Sequence, residues 1–171
     1  EDEILSWLKE ADENGEFAID TETSSLDPHQ AELVGVSLCS KPGYSGYIPL
    51  AHNSGKNLDT SKVLNILKPY LEDKSIKKIG QNIKFDFIVF YKHGITLSSM
   101  EDTMLMSYVL DSGKNRHNMD TLSEIHLNHK TISYKDVVGS GKKEINFSDV
   151  NIEEAKDYAA EDADITLRLY K

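Results

Sequence analysis

The 171-residue sequence predicts an α/β fold with a mixed five-stranded sheet flanked by helices. Three strand-like runs come first, at 17–21, 32–39 and 44–50, and turn residues separate them as in an antiparallel meander. Strands then alternate with helices, which is the order typical of parallel strands joined by helical crossovers. We therefore expect one domain over residues 1–171, combining an antiparallel meander with parallel strands.

The remaining elements follow from periodicity and capping residues. A first helix is expected at 3–12, and Thr60 is the expected N-cap of a helix that ends near Leu71. Further elements are expected at 76–79 (strand), 82–93 (helix), 95–97 (strand), 103–110 (helix) and 120–127 (helix). Residues 129–149 show little periodicity, and Asn151 is a suitable N-cap for the final helix.

Composition and charge exclude several classes of protein. The net charge of −10 argues against binding nucleic acid by bulk charge alone, so phosphate binding would require metal ions or a local basic patch. Candidates for such a patch are Lys77, Lys78, Lys84 and Arg116. No apolar run approaches the roughly 20 residues of a membrane span, and the N-terminus does not resemble a signal peptide. A lone Cys39 favours a reducing compartment, and we expect a cytoplasmic monomer.

The final helix carries a carboxylate on its apolar side. At 100° per residue, Asp162 falls among alanines and other apolar residues, with Tyr158 one turn before it. A carboxylate on a buried face requires a partner, because desolvation of the charge is costly. A metal ion would meet this need, and a structural salt bridge would meet it equally well.

A second acidic pair ends the first predicted strand. Asp20 and Glu22 are two residues apart and therefore point to the same face of the strand. Two like charges at the end of an apolar strand repel each other unless a cation lies between them. The alternative is a solvated loop, since polar residues follow directly.

A third polar feature lies on the helix predicted at 82–93. Asn82, Asp86 and His93 form a narrow polar stripe between apolar residues, as on a helix that lines a cleft. An ordinary exposed face would show the same pattern. Each of the three patterns is weak alone, and their order along the chain gives them weight.

Together these stretches resemble a known family. Residues 17–23 (FAIDTET), 80–86 (GQNIKFD) and 158–162 (YAAED) are similar to the three exonuclease motifs of the DEDD superfamily. Tyr158 stands where other members carry His, which indicates the Tyr subgroup. The resemblance is closest to the 3′→5′ proofreading exonuclease domains of bacterial DNA polymerase I, and it implies a ribonuclease-H-like fold. It extends along the whole chain, including 47–52, 67–73, 116–122 and 129–133.

The resemblance implies roles for the acidic residues. Asp20, Glu22 and Asp162 would hold one divalent metal ion, and Asp20 with Asp86 the second. Glu22 and Tyr158 would orient the attacking water. Two ions roughly 4 Å apart are suited to phosphodiester hydrolysis. Oxygen ligands favour Mg²⁺ or Mn²⁺, with Zn²⁺ as a further possibility.

The resemblance also implies substrate contacts. Leu26 corresponds to an apolar residue that wedges against the terminal bases, and Tyr134 lies where a Phe often stacks on the strand. The remaining expected contacts are Thr23, Gln81, Asn82 and Arg116.

The implied activity is metal-dependent 3′→5′ exonuclease action on single-stranded or mispaired DNA ends, releasing nucleoside 5′-monophosphates. The expected partners are single-stranded DNA 3′ ends and a polymerase domain in the same or another chain, in the bacterial cytoplasm. Three alternatives remain open. They are a catalytically silent single-strand-binding scaffold of a polymerase, a ribonuclease D-like RNA trimmer and an acidic protein-binding domain.

Overall fold

The computed structural model describes residues 2–171. Its strands are β1 (Glu16–Thr23), β2 (Leu33–Lys41), β3 (Tyr44–Pro49), β4 (Lys77–Gly80) and β5 (Met100–Asp102). Its α-helices are α1 (Asp2–Asn14), α2 (Thr60–Glu72), α3 (Lys84–Lys92), α4 (Thr103–Asp111), α5 (Met119–Leu122), α6 (Tyr134–Val138) and α7 (Ile152–Tyr170). Short helical turns of other types lie at Ser123–Leu127 (π), Gly141–Lys143 and Phe147–Asp149 (both 3₁₀).

The sheet is mixed, as the sequence predicts. Its strand order is β3-β2-β1-β4-β5, with β1 in the centre. The β1–β2 and β2–β3 pairs are antiparallel, whereas β1–β4 and β4–β5 are parallel. A central strand is buried on both faces, which explains the apolar run Phe17-Ala18-Ile19 before the acidic residues of β1.

Helices cover both faces of the sheet. Helix α7 packs across β1, β2 and β3, and the alanines Ala155, Ala159 and Ala163 are completely buried there. Their small side chains allow the helix to approach the strands closely. The main core includes Phe17, Ile19 and residues of α1, α2 and α3, and it lies on the opposite face of the sheet from α7. The acidic end of β1 therefore lies where α7 and α3 both contact this strand.

The fifth strand lies later than its predicted position. Ile95 and Leu97 are buried at 2% and 3% exposure, but they belong to the core beside α2 and α3 and do not join the sheet. The ladder to β4 begins at Met100, which pairs with Lys78. Alternating apolar residues predict that every second side chain is buried. A connecting segment that packs against a core shows this alternation as readily as a strand does.

Two further local predictions were wrong. The N-cap of α2 is Asp59, whose carboxylate accepts a hydrogen bond from the backbone N–H of Lys62 at 2.8 Å, and Thr60 is the first helical residue. The stretch 129–149 is also more ordered than predicted, because a capping box between Ser133 and Asp136 starts helix α6.

Candidate active site

Three carboxylates meet between the end of β1 and the middle of α7. Asp20, Glu22 and Asp162 each offer an oxygen, and these oxygens all lie within 4.8 Å of one another. Glu22 and Asp162 are buried, at 6% and 5% exposure, and Asp20 is half-buried. The two-residue spacing on β1 and the inward face of α7 bring them together, as the sequence predicts.

Asp86 lies beside this group. It is in the first turn of α3, it is 2% exposed, and its Oδ1 accepts two hydrogen bonds from Thr21. The backbone N–H donates at 2.9 Å and the hydroxyl at 2.6 Å. The polar stripe predicted on this helix does not line one cleft. Asp86 is buried, whereas His93 is exposed at the other end of the helix.

The four carboxylates disfavour one another's charge. Burial raises the pKa of Asp20 to about 7, and it raises the pKa values of Glu22, Asp86 and Asp162 well above their usual range. The negative charge of Asp20 adds to the rise at each of the other three. A cluster of acidic oxygens in a desolvated cleft is the donor set that hard divalent cations prefer. These residues therefore fit a divalent metal ion.

Tyr158 lies one helical turn before Asp162. Burial and the neighbouring carboxylates of Asp162 and Glu22 raise the pKa of the Tyr158 phenol well above its usual range. The hydroxyl consequently stays protonated at neutral pH, where it can hold a water molecule by hydrogen bonding. Its ring packs at 6.1 Å, centroid to centroid, against both Tyr134 and Phe147.

An open groove of about 320 Å³ adjoins this aromatic cluster. Its lining includes Leu26, Tyr134 and Phe147, and Leu26 is 83% exposed. Tyr134 stacks on Phe147 at 6.3 Å, with the ring planes 8° apart. Thr23 is the last residue of β1, and its hydroxyl donates a hydrogen bond at 3.0 Å to the carbonyl of Ser25, the residue before Leu26.

Of the other predicted substrate contacts, Gln81 and Asn82 follow β4 and Arg116 precedes α5. The Gln81 amide is held within the protein: its oxygen accepts from the Thr103 hydroxyl at 2.5 Å, and its nitrogen donates to the His117 carbonyl at 2.8 Å. Asn82 is half-buried with a φ of 61°, and Arg116 is exposed on the loop before α5. Substrate contact by these residues stays a prediction.

Lys78 does not contribute to a basic surface. It is fully buried in β4, and its ammonium group donates hydrogen bonds to the backbone carbonyls of Tyr70, Asp73 and Ile76. The lysine therefore fastens the end of α2 to the sheet. Its position next to Lys77 in a short strand gave no sign of this role.

Thr21 and Asp102 are supporting residues that sequence reasoning missed. Thr21 holds Asp86, and the Asp102 carboxylate accepts hydrogen bonds from the backbone of Asn82 and Ile83. Strand alternation places Thr21 on the opposite face of β1 from Asp20 and Glu22. A polar residue on that face of a buried strand requires a hydrogen-bond partner, and this requirement could have drawn attention to Thr21.

A family model described as "3'-5' exonuclease", for the exonuclease domain of family A DNA polymerases, matches residues 1–171. The chain belongs to this exonuclease family. Its members are nucleases, that is, hydrolases. The chain is 46% identical to DNA polymerase I of Pseudomonas aeruginosa over 97% of its length and 44% identical to that of Rhizobium leguminosarum over 96%. It spans only 19% and 18% of these two relatives, respectively.

Solved structures share the fold. Brucella melitensis NrnC with bound Mg²⁺ has a TM-score of 0.65 at 23% identity, covering 91% of this chain and 70% of that one. Escherichia coli RNase D has a TM-score of 0.69 at 16% identity, covering 98% of this chain and 40% of that one. The ribonuclease-H-like fold expected of the family is thereby confirmed. Within residues 2–171, no helix is both long enough and apolar enough to cross a membrane.

Proposed function

We propose that this exonuclease domain removes nucleotides from single-stranded or mispaired DNA 3′ ends and releases nucleoside 5′-monophosphates. The observation that carries the proposal is the convergence of Asp20, Glu22, Asp86 and Asp162 in one desolvated cleft next to Tyr158. Buried acidic groups of this kind also argue against a plain acidic protein-binding domain, which would carry its charge on an exposed surface.

The metal ligands we propose are the four carboxylates. Asp20, Glu22 and Asp162 would hold one ion, and Asp20 with Asp86 the second. When bound, such ions lower the pKa of a water molecule and neutralise charge on the scissile phosphate. Oxygen donors favour Mg²⁺ or Mn²⁺, with Zn²⁺ as the alternative, and the fold relative NrnC was solved with Mg²⁺.

The protein's own contribution is to position the water and the strand. Glu22 and the protonated hydroxyl of Tyr158 would hold the attacking water in line with the terminal phosphate. The exposed side chain of Leu26 would wedge against the last bases, and Tyr134 would stack on the strand. Stacking does not distinguish one base from another, which suits an enzyme that must accept any 3′ end.

We further propose a polymerase as the partner of this domain. The relatives carry the matching segment within DNA polymerase I, where removal of a mispaired 3′ end is proofreading. In such an assembly the domain would act as one copy per polymerase, in the bacterial cytoplasm.

The test is digestion of a 5′-labelled single-stranded DNA, followed on a gel, with Mg²⁺, Mn²⁺ or a chelator. A ladder of products shortened from the 3′ end, lost in chelator, is expected. Absence of cleavage with every metal would leave the silent scaffold as the better assignment.

An RNA of the same sequence tests the second candidate function. The fold likeness to Escherichia coli RNase D makes an RNA trimmer the specific alternative. We expect the DNA strand to be shortened faster than the RNA strand. The reverse preference would favour the trimmer.

A further inference from the structure

The carboxylate of Asp102 joins two parts of the fold that are 20 residues apart in sequence. Asp102 is the last residue of β5 and is 8% exposed. As the N-cap of α4, its Oδ1 accepts hydrogen bonds from the backbone N–H groups of Met104 at 2.9 Å and Leu105 at 3.4 Å. A cap requires nothing more than this.

The same carboxylate also binds the turn that follows β4. Its Oδ1 accepts from the backbone N–H of Asn82 at 3.0 Å, and its Oδ2 accepts from that of Ile83 at 3.1 Å. The parallel register explains the contact, because Gly80 at the end of β4 pairs with Asp102 at the end of β5. Asp102 therefore ties the start of α3 to the start of α4.

This turn determines where Asp86 lies. Asn82 has a φ of 61°, in the left-handed region that a non-glycine residue adopts at a cost and keeps only where its surroundings hold it. The Asn82 carbonyl accepts a hydrogen bond from the N–H of Phe85, and α3 begins at Lys84 with Asp86 in its first turn. The orientation of the Asn82–Ile83 backbone thus sets the direction in which the helix leaves the sheet.

The residue after Asp102 supports the same corner. The Thr103 hydroxyl lies 3.2 Å from the Gly80 carbonyl and 2.5 Å from the Gln81 side-chain oxygen. The Gln81 amide in turn donates to the His117 carbonyl at 2.8 Å, next to the loop residue Arg116. The junction of β5 and α4 consequently supports Gln81 and, through it, the segment next to Arg116, and these are two of the residues expected to contact substrate.

We propose that Asp102 is a positioning residue of the exonuclease site, which holds the Asn82–Ile83 turn and through it the metal-binding carboxylate of Asp86. This inference rests on the proposed function for the role of Asp86 as a metal ligand. Groups that orient a metal ligand from outside the coordination shell typically change metal affinity or activity by about 10–100-fold when replaced.

The test separates the two tasks of the carboxylate. Asp102→Asn retains one oxygen to cap α4 and to accept from Asn82, since Asn caps helices as well as Asp does. Its amide nitrogen would replace Oδ2 and cannot accept the hydrogen bond from Ile83. Asp102→Ser also keeps a capping oxygen and is too short to reach the turn. The matched control is Asp59→Asn, because Asp59 caps α2 through Lys62 on the exposed surface.

Two measurements are made below the melting temperature of every variant. They are the affinity for Mn²⁺ by isothermal titration calorimetry without DNA, and the single-turnover cleavage rate of a single-stranded DNA at saturating Mn²⁺. Both Asp102 variants should lose about 10–100-fold in Mn²⁺ affinity or in cleavage rate. Asp59→Asn should match wild type in both measurements.

Wild-type values for both Asp102 variants would overturn the proposal. Equal losses in Asp59→Asn would overturn it as well, since any damaged cap would then have the same effect. Failure of both Asp102 variants to fold would show a structural role in place of a positioning one. If the wild-type protein binds Mn²⁺ but cleaves no DNA, the proposed function fails, and the calorimetric comparison still decides the role of Asp102.

Discussion

The hydroxyl of Thr21 donates a hydrogen bond to the carboxylate of Asp86 at 2.6 Å, and the backbone N–H of the same threonine donates another at 2.9 Å. This contact links the central strand to α3 across 65 residues of sequence. It also fixes the side chain of a proposed metal ligand before any ion binds. Thr21 lies between Asp20 and Glu22, so β1 would contribute to the site from both of its faces.

Thr21→Val tests this contact, because Val has nearly the same shape but no hydroxyl. We expect a loss of about 10–100-fold in Mn²⁺ affinity or in cleavage rate, since Asp86 keeps only the backbone donor. Thr21→Ser retains a hydroxyl and is the control, expected to stay near wild type. Calorimetric titration and single-turnover kinetics check the result, and equal behaviour of the two variants would show that the Thr21 hydroxyl does not affect metal binding by Asp86.

Asp20→Ala and Asp162→Ala should each reduce cleavage of single-stranded DNA by about 100-fold or more. Each variant would lose a carboxylate that binds a metal ion, and the positive charge of that ion stabilises the transition state. Both variants should remain folded, since these carboxylates do not form the core. The measurement is digestion of a 5′-labelled strand, with circular dichroism to check folding. Near-wild-type digestion by either folded variant would contradict the site assignment.

Tyr158→Phe should slow hydrolysis by up to about 100-fold without abolishing it, because the hydroxyl orients the water while the carboxylates and their ions remain. The ring itself should keep its place against Tyr134 and Phe147. Single-turnover rates at saturating Mn²⁺ measure the effect. An unchanged rate would exclude the hydroxyl from the reaction.

Asp20→Asn should make the metal-free protein more stable. In the folded state the pKa of Asp20 is raised to about 7 from an ordinary value of 3.8. The destabilising effect of its charge is therefore absent below the ordinary value, grows as the pH rises, and is complete once the pH exceeds about 7. At pH 8 in chelator, the variant should melt higher than wild type, by about 2–4 °C for each kcal/mol by which burial of the charge destabilises the fold.

The same variant should gain less from Mn²⁺, because a ligand that binds the folded state less tightly stabilises it less at the same concentration. The check is a set of thermal melts of wild type and Asp20→Asn, each with chelator and with Mn²⁺, at pH 4 and pH 8. The difference in chelator should nearly vanish at pH 4. A variant that melts below wild type at pH 8 in chelator, or that gains as much from Mn²⁺, would argue against a shared carboxylate cluster at Asp20.

Much of the site was predictable because it is local. Asp20 and Glu22 share a face by the two-residue period of a strand, and Tyr158 and Asp162 share one by the turn of a helix. These periods depend on backbone geometry alone, so the sequence displays them directly. The meander and the following strand–helix order were predictable for the same reason, from turn residues and apolar spacing.

Contacts between distant groups could not be predicted in the same way. The bond from Thr21 to Asp86, the reach of Asp102 to Asn82 and the burial of Lys78 each depend on how strands pair and helices pack. The same holds for the position of β5. Ile95 and Leu97 have the alternating pattern of a strand, but they pack into the core before β5 begins. The carboxylates, the phenol and the elements that carry them could be recognised in the sequence, because spacing along one element depends on local backbone geometry. Only the packed fold decided how those carboxylates are held, because hydrogen bonds between distant segments exist only once the sheet has assembled.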